Sequence, residues 1–165
     1  MVIKTKLTKA DFINANLALL YKKTSTKVYV ALGIITFFYL DIYAAIFLGM
    51  DWSFIYIIPP FVFLFLSPIA TWLVANKNYS SSQRITETIE YQFDKDYLLV
   101  KGDSFTSQST WEKIYKVTET KKFILIWQSR AVANIIPKRD IWEGDIIELK
   151  EILDSHGVKN TLKTN

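Results

Sequence analysis

The sequence predicts a membrane α-helical hairpin followed by an α+β domain, in which an antiparallel sheet is capped by a C-terminal helix. Three observations carry that expectation. Apolar residues make up 50% of the 165-residue chain, yet they concentrate in residues 28 to 75, where only Asp41 and Asp51 are charged. From Arg84 onward short runs alternate apolar and polar residues between turn residues, the period of half-buried strands. From Glu143 the spacing changes to that of a helix.

Residues 1–27 read as a cytosolic amphipathic helix with a basic juxtamembrane segment. In "TKADFINANLALLYKK", Thr8 can cap and Asp11, three residues on, can answer it and favour the positive end of the helix dipole. Ile13, Leu17, Leu20 and Tyr21 form one stripe. Two readings stay open: the stripe lies on the inner leaflet, helped by Lys22, Lys23 and Lys27, or it packs on the soluble domain.

Residues 28–75 read as the two-helix transmembrane hairpin. About 20 apolar residues at about 1.5 Å each cover a hydrocarbon core of about 30 Å, and "VYVALGIITFFYLDIYAAIFLGM" and the uncharged "WSFIYIIPPFVFLFLSPIATWLVA" both qualify. Trp52 and Trp72 suit the two headgroup regions, and the link near Gly49 to Asp51 is short enough to leave the helices antiparallel. A cleaved signal peptide fits worse, because its apolar region should be shorter and nearer the start. Six lysines precede Val28 against Asp11 alone, so the positive-inside rule places both termini in the cytoplasm and makes the lipid bilayer a partner.

Asp41 sits in the middle of the first run, where a charged acid must face protein or water rather than lipid. Pro59 and Pro60 remove helical partners from the carbonyls of Ile55 and Tyr56. Asp41 could therefore clip the hairpin, by donating to such a carbonyl when protonated or accepting from the Tyr56 hydroxyl when ionised, or pair with a second copy in a homo-oligomer. The alternative is a proton relay or recognition of a partner's membrane helix, as in an accessory subunit of a transporter or channel.

Residues 76–83, "NKNYSSSQ", read as a polar linker. In residues 84–165 "RITETIEYQF", "YLLVKG", "SFTSQSTW", "YKVTET", "KKFILIWQS" and "AVANIIP" are successive strands with short turns, an antiparallel meander rather than βαβ units. Ile146, Leu149, Ile152 and Leu153 then recur at helical spacing, and Gly157 is the stop. A small curved sheet covered by one helix is a PH-like layout.

The stretch from Ile89 to Ile141, above all Trp111, Glu112 and Ile114 of "TWEKIYKVTE" and Ile136, Pro137 and Lys138 of "IIPKR", resembles the YcxB-like family of bacterial membrane proteins. With the helices before it, the resemblance covers nearly the whole chain. It implies a two-helix protein of the bacterial inner membrane with a cytosolic domain, and it carries over no activity and no functional residues.

Function classes narrow by elimination. Residues 76–165 hold 14 basic and 13 acidic residues, so the basic excess lies in the first 27 residues and nucleic acid is not an expected partner. Without Cys, and with His156 as the single histidine, neither a metal site, a thiol nucleophile nor a catalytic set is expected, and no cofactor. Trp111 is either a partner's anchor or a core support. Lys121, Lys122, Lys138 and Arg139 either touch anionic headgroups or form a solvated surface. The expected function is a non-enzymatic membrane-anchored cytosolic adaptor, binding a protein or anionic lipid.

Overall fold

Ile3, Thr5 and Leu7 alternate with Lys4 and Lys6, and this period-two pattern makes a strand at the very start of the chain, β1 (Val2–Lys6). Sequence reading passed over it. In the computed structural model, which describes residues 1–47 and 58–163, β1 pairs antiparallel with β2 (Thr88–Phe93), Ile3 facing Tyr91. The chain divides into two compact units, Met1–Ala15 with Tyr79–Asn165, and Asn16–Asn78.

Helix α1 (Lys9–Lys22) starts as its sequence demands. The Asp11 amide donates to Thr8 Oγ1 at 3.2 Å and the Thr8 amide donates back to Asp11 Oδ2 at 2.9 Å, a reciprocal cap that satisfies two donors at the helix start. Its buried positions are Asp11 and Ala15, whereas Tyr21 of the expected apolar stripe is exposed.

The second unit holds α2 (Thr24–Phe47) and α3 (Ile58–Ser81). Among the described residues no helix is long and apolar enough to cross a membrane. That finding overturns the expected transmembrane hairpin and, with it, the multi-pass placement in a bacterial inner membrane. The described helices do not coincide with the apolar runs that carried the expectation. The first turn of α2 is polar, Thr24 to Lys27, and α3 closes on the polar residues Asn76 to Ser81, which were expected to be a linker. The apolar runs 28–50 and 52–75 also extend into residues 48–57, outside the described residues. On α2 the surface is nonetheless apolar: Tyr39, Tyr43 and Phe47 stack in sequence at 5.8 and 5.1 Å, and Phe47 is 71% exposed. Pro68 stands inside α3, where its missing amide leaves the Leu64 carbonyl without a helical donor.

The first unit is α+β with two antiparallel sheets rather than the single expected one. After the short helix α4 (Gln83–Thr86), β2, β3 (Tyr97–Lys101) and β4 (Thr106–Thr110) extend β1 into a four-stranded sheet of order β1-β2-β3-β4. Strands β5 (Lys116–Glu119), β6 (Phe123–Trp127) and β7 (Ala133–Pro137) form the other, in that order. Ile89, Tyr91 and Phe93 on β2 and Leu98 and Val100 on β3 share the inner face. Central strand β6 is buried from Phe123 through Ile126, which is why its sequence is continuously apolar instead of alternating.

Helix α5 (Glu143–Ser155) sets Ile146, Leu149 and Leu153 into the core formed by both sheets. Burying each such side chain contributes about 1.5–3 kcal/mol. The helix ends in a Schellman motif. Gly157 has φ +65°, its amide donates to the Asp154 carbonyl at 3.1 Å, and the Val158 amide donates to the Leu153 carbonyl at 2.9 Å. Val158 and Leu153 both belong to the core, the apolar contact that accompanies such a stop.

Candidate functional site

Most residues singled out in the sequence have a defined place, and few of them lie together. Trp111 is 1% exposed and belongs to the core. Its indole N–H donates to the Asp94 carbonyl at 3.0 Å and its ring stacks on Phe93 at 6.3 Å, so it supports the β2–β3 turn instead of projecting toward a partner. Pro137 is fully buried at the end of β7.

The four cations considered for headgroups separate into two kinds. Lys138 is bonded to Glu119, whose other oxygen accepts from the Lys163 amide at 2.7 Å. Burial pushes the Glu119 carboxyl up, but Lys138 and Lys163 outweigh it and hold the group below its ordinary range. The Arg139 guanidinium makes a two-pronged bond to Asp11 at 2.8 and 2.6 Å. It holds that carboxyl well below the usual carboxylate range, with Thr8 assisting against the opposing effect of burial. Lys121 and Lys122, in the turn between β5 and β6, are exposed; Arg139 is exposed too, but its guanidinium is engaged by Asp11.

Lys22 closes α1, Lys23 lies between α1 and α2, and Lys27 is in the first turn of α2; all three are exposed. Asp41 falls within α2, and Pro59 and Pro60 within the first described turn of α3, but the side chains of all three are outside the described residues. Tyr56 is outside them altogether. Among the described residues no group of acids and histidine is placed to hold a metal ion.

What the fold does bring together is a pair of contrasting sheet edges. The outer edge of β5 is covered by the C-terminal segment. The Val117 amide donates to the Lys159 carbonyl at 2.9 Å, the Thr161 amide returns a bond to the Val117 carbonyl at 3.1 Å, and the Glu119 amide donates to Thr161 Oγ1 at 3.1 Å. Strand β4 is the opposite case. It ends the four-stranded sheet, pairs only with β3 among the described residues, and is exposed at four of its five positions. Its sequence, TSQST, contains none of the lysines or prolines that usually blunt an exposed edge.

The ladder fixes which amides that edge offers. The Gly102 amide donates to the Phe105 carbonyl at 2.9 Å, and bonded pairs alternate from there, so Ser107 and Ser109 pair with Val100 and Leu98. The amides of Thr106, Gln108 and Thr110 therefore point away from β3. Gly102 is needed in that turn. A Cβ there would lie 2.6 Å from the Phe105 ring and 2.7 Å from Glu87 Oε2. Glu87 is 7% exposed. One of its oxygens accepts from the Ser104 amide at 3.0 Å and the other has no partner among the described residues. The Ser104 hydroxyl and amide lower the Glu87 carboxyl below its ordinary value, with Arg84 adding to the effect.

A cavity of about 390 Å³ opens between the two sheets, lined by apolar side chains such as Ile89, Val100, Phe105 and Ile135. None of its lining residues comes from α5. Asn134 of β7 also lines it, and the side-chain Nδ2 is buried without a hydrogen-bond partner among the described residues. Arg84 lines it as well, with its guanidinium carbon 5.2 Å from the centre of the Phe105 ring. Sequence reading missed Gln108, Asn134 and Arg84. A polar residue in the apolar run "AVANIIP" was the one available signal.

Residues 93–153 match the family model described as YcxB-like protein, from the last residue of β2 into α5. Of the residues on which the resemblance rests, Trp111, Ile114, Ile136 and Pro137 are buried, whereas Glu112 is exposed and Lys138 half-buried. No curated protein and no solved structure matches the chain.

Proposed function

We propose that this chain, YcxB-like over residues 93–153, is a non-enzymatic binding module whose edge strand β4 takes up an extended segment of a partner protein. One observation carries the reading: β4 exposes both faces and a row of amides unpaired among the described residues, while the comparable edge of β5 is covered by the chain's own C-terminal segment. Strand addition supplies affinity through main-chain bonds and specificity through alternate side chains. The absence of a catalytic grouping in the sequence and the internal pairing of Lys138 and Arg139 support a protein partner over an anionic headgroup.

The test compares two substitutions at one residue. Full-length chains carrying Gln108→Ala and Gln108→Pro are used as bait beside the parent. The alanine variant keeps the outward amide and retains the same stoichiometric partner as the parent. The proline variant removes that donor at an edge position where proline is tolerated, and it loses the partner. Retention by the proline variant would remove β4 from the account. If the retained chain is a second copy of this one, the partner is a homo-oligomer formed through the same edge.

A further inference from the structure

We propose that the cavity between the two sheets is a binding site for a small apolar monocarboxylate. Three features converge on that class. The volume of about 390 Å³ lies within the range of about 300–1,000 Å³ typical of small-ligand pockets. The wall is mainly aliphatic and aromatic, contributed by Ile89, Val100, Phe105 and Ile135, so an apolar body is what it would hold.

The polar part is specific. The Asn134 Nδ2 is buried and unpartnered among the described residues. Such a donor costs about 1–3 kcal/mol, which a ligand oxygen would recover by accepting from it. Arg84 is the one charged residue among those lining the cavity. Its guanidinium is exposed and held against Phe105, so it favours an anion without requiring a buried ion pair. Glu87, the nearest acid along the chain, feels the charge of Arg84 but makes no bond to it, accepts from Ser104 and is not a lining residue. The ligand's apolar body thus occupies the aliphatic wall, its oxygen accepts from Asn134, and its charge is offset by Arg84. This site is separate from the outward amides of β4 and stands or falls independently of the proposed partner strand.

The test uses phenylbutyrate, with phenylbutanol as its uncharged counterpart, titrated into the isotope-labelled full chain and read by amide resonances. Phenylbutyrate shifts the backbone amides of Ile89, Val100 and Ile135 and the side-chain amide of Asn134, and it binds about tenfold tighter than the alcohol. Asn134→Leu weakens phenylbutyrate about tenfold or more, as expected for losing a bond to a charged group. Arg84→Ala, an exposed position that leaves the fold intact, abolishes the preference for acid over alcohol and decides the matter if Asn134→Leu fails to fold. Shifts confined to other parts of the chain, no shift at all, equal binding of acid and alcohol by the parent, or a preference that survives Arg84→Ala would each overturn the site.

Discussion

Arg139 reaches across 128 residues to hold Asp11 with two hydrogen bonds, at 2.8 and 2.6 Å. Asp11 also caps α1 through Thr8, so one carboxylate ties the start of the first helix to the turn after β7. Thr5 Oγ1 donates to the neighbouring Asp140 at 2.5 Å and fixes the same turn from β1. Together these bonds attach the N-terminal strand and helix start to the C-terminal part of the first unit.

The pH response of this pair has a definite sign. Arg139 and Thr8 lower the Asp11 carboxyl in the folded chain, while the unfolded value is about 3.9. Its contribution is therefore fully present above about pH 5 and is lost as pH falls below about 4 toward the folded value. Urea midpoints measured across that window fall with acidification in the parent. The slope is shallower in Arg139→Ala, which removes the main cause of the shift. Asp11→Ala costs about 2 kcal/mol at neutral pH, combining a lost cap with a lost charged bond.

Two glycines of similar surroundings respond oppositely to alanine. A Cβ meets nothing within 4 Å at either Gly144 or Gly157, but Gly157 has φ +65°. Gly157→Ala is expected to cost about 1–2 kcal/mol from the left-handed backbone alone. Gly144→Ala, inside α5, gains about 0.5–1 kcal/mol. Thermal or chemical unfolding of the two variants checks the pair.

Trp111 offers a graded test of its supporting role. Trp111→Phe keeps the stacking on Phe93 but loses the bond to the Asp94 carbonyl, at a cost of about 1–2 kcal/mol. Trp111→Ala costs about 3–5 kcal/mol through the cavity it leaves. An alanine variant as stable as the parent would show that the ring is not supporting the core.

Much of the first unit was legible because its signals are local. Apart from the wholly polar β4, strands β2 to β7 alternate or run apolar between short polar turns, and α5 carries its own period and its own stop at Gly157. Strand β1 escaped because its partner lies far along the chain: Ile3 pairs with Tyr91, and its two lysines, Lys4 and Lys6, read first as charge. Hydropathy marked α2 and α3 as helices but not their polar ends, and the expectation of two spanning segments is overturned by the described helices. The site was the least legible part. Lys138 and Arg139 read as free cations because Glu119 and Asp11, their partners, are 19 and 128 residues away. An open strand edge depends on which strand ends the sheet, and no local pattern states that.

The covering of β5 yields a further prediction. Removing residues 159 to 165 breaks the bonds of Val117 with Lys159 and Thr161 and of Glu119 with Thr161 and Lys163, takes Leu162 out of the core and bares that edge. At about 0.5–1.5 kcal/mol for each of the four lost bonds and about 1.5–3 kcal/mol for Leu162, the truncated chain unfolds about 4–9 kcal/mol more easily. It also associates with rising concentration, as an uncovered edge does, which light scattering would register.

Amide hydrogen exchange along β4, measured with and without the partner retained by the parent chain, tests the central claim most directly. The account predicts that Thr106, Gln108 and Thr110 become protected on binding while Ser107 and Ser109, already bonded to β3, change little. Unchanged exchange at all three outward amides in the presence of bound partner would contradict it.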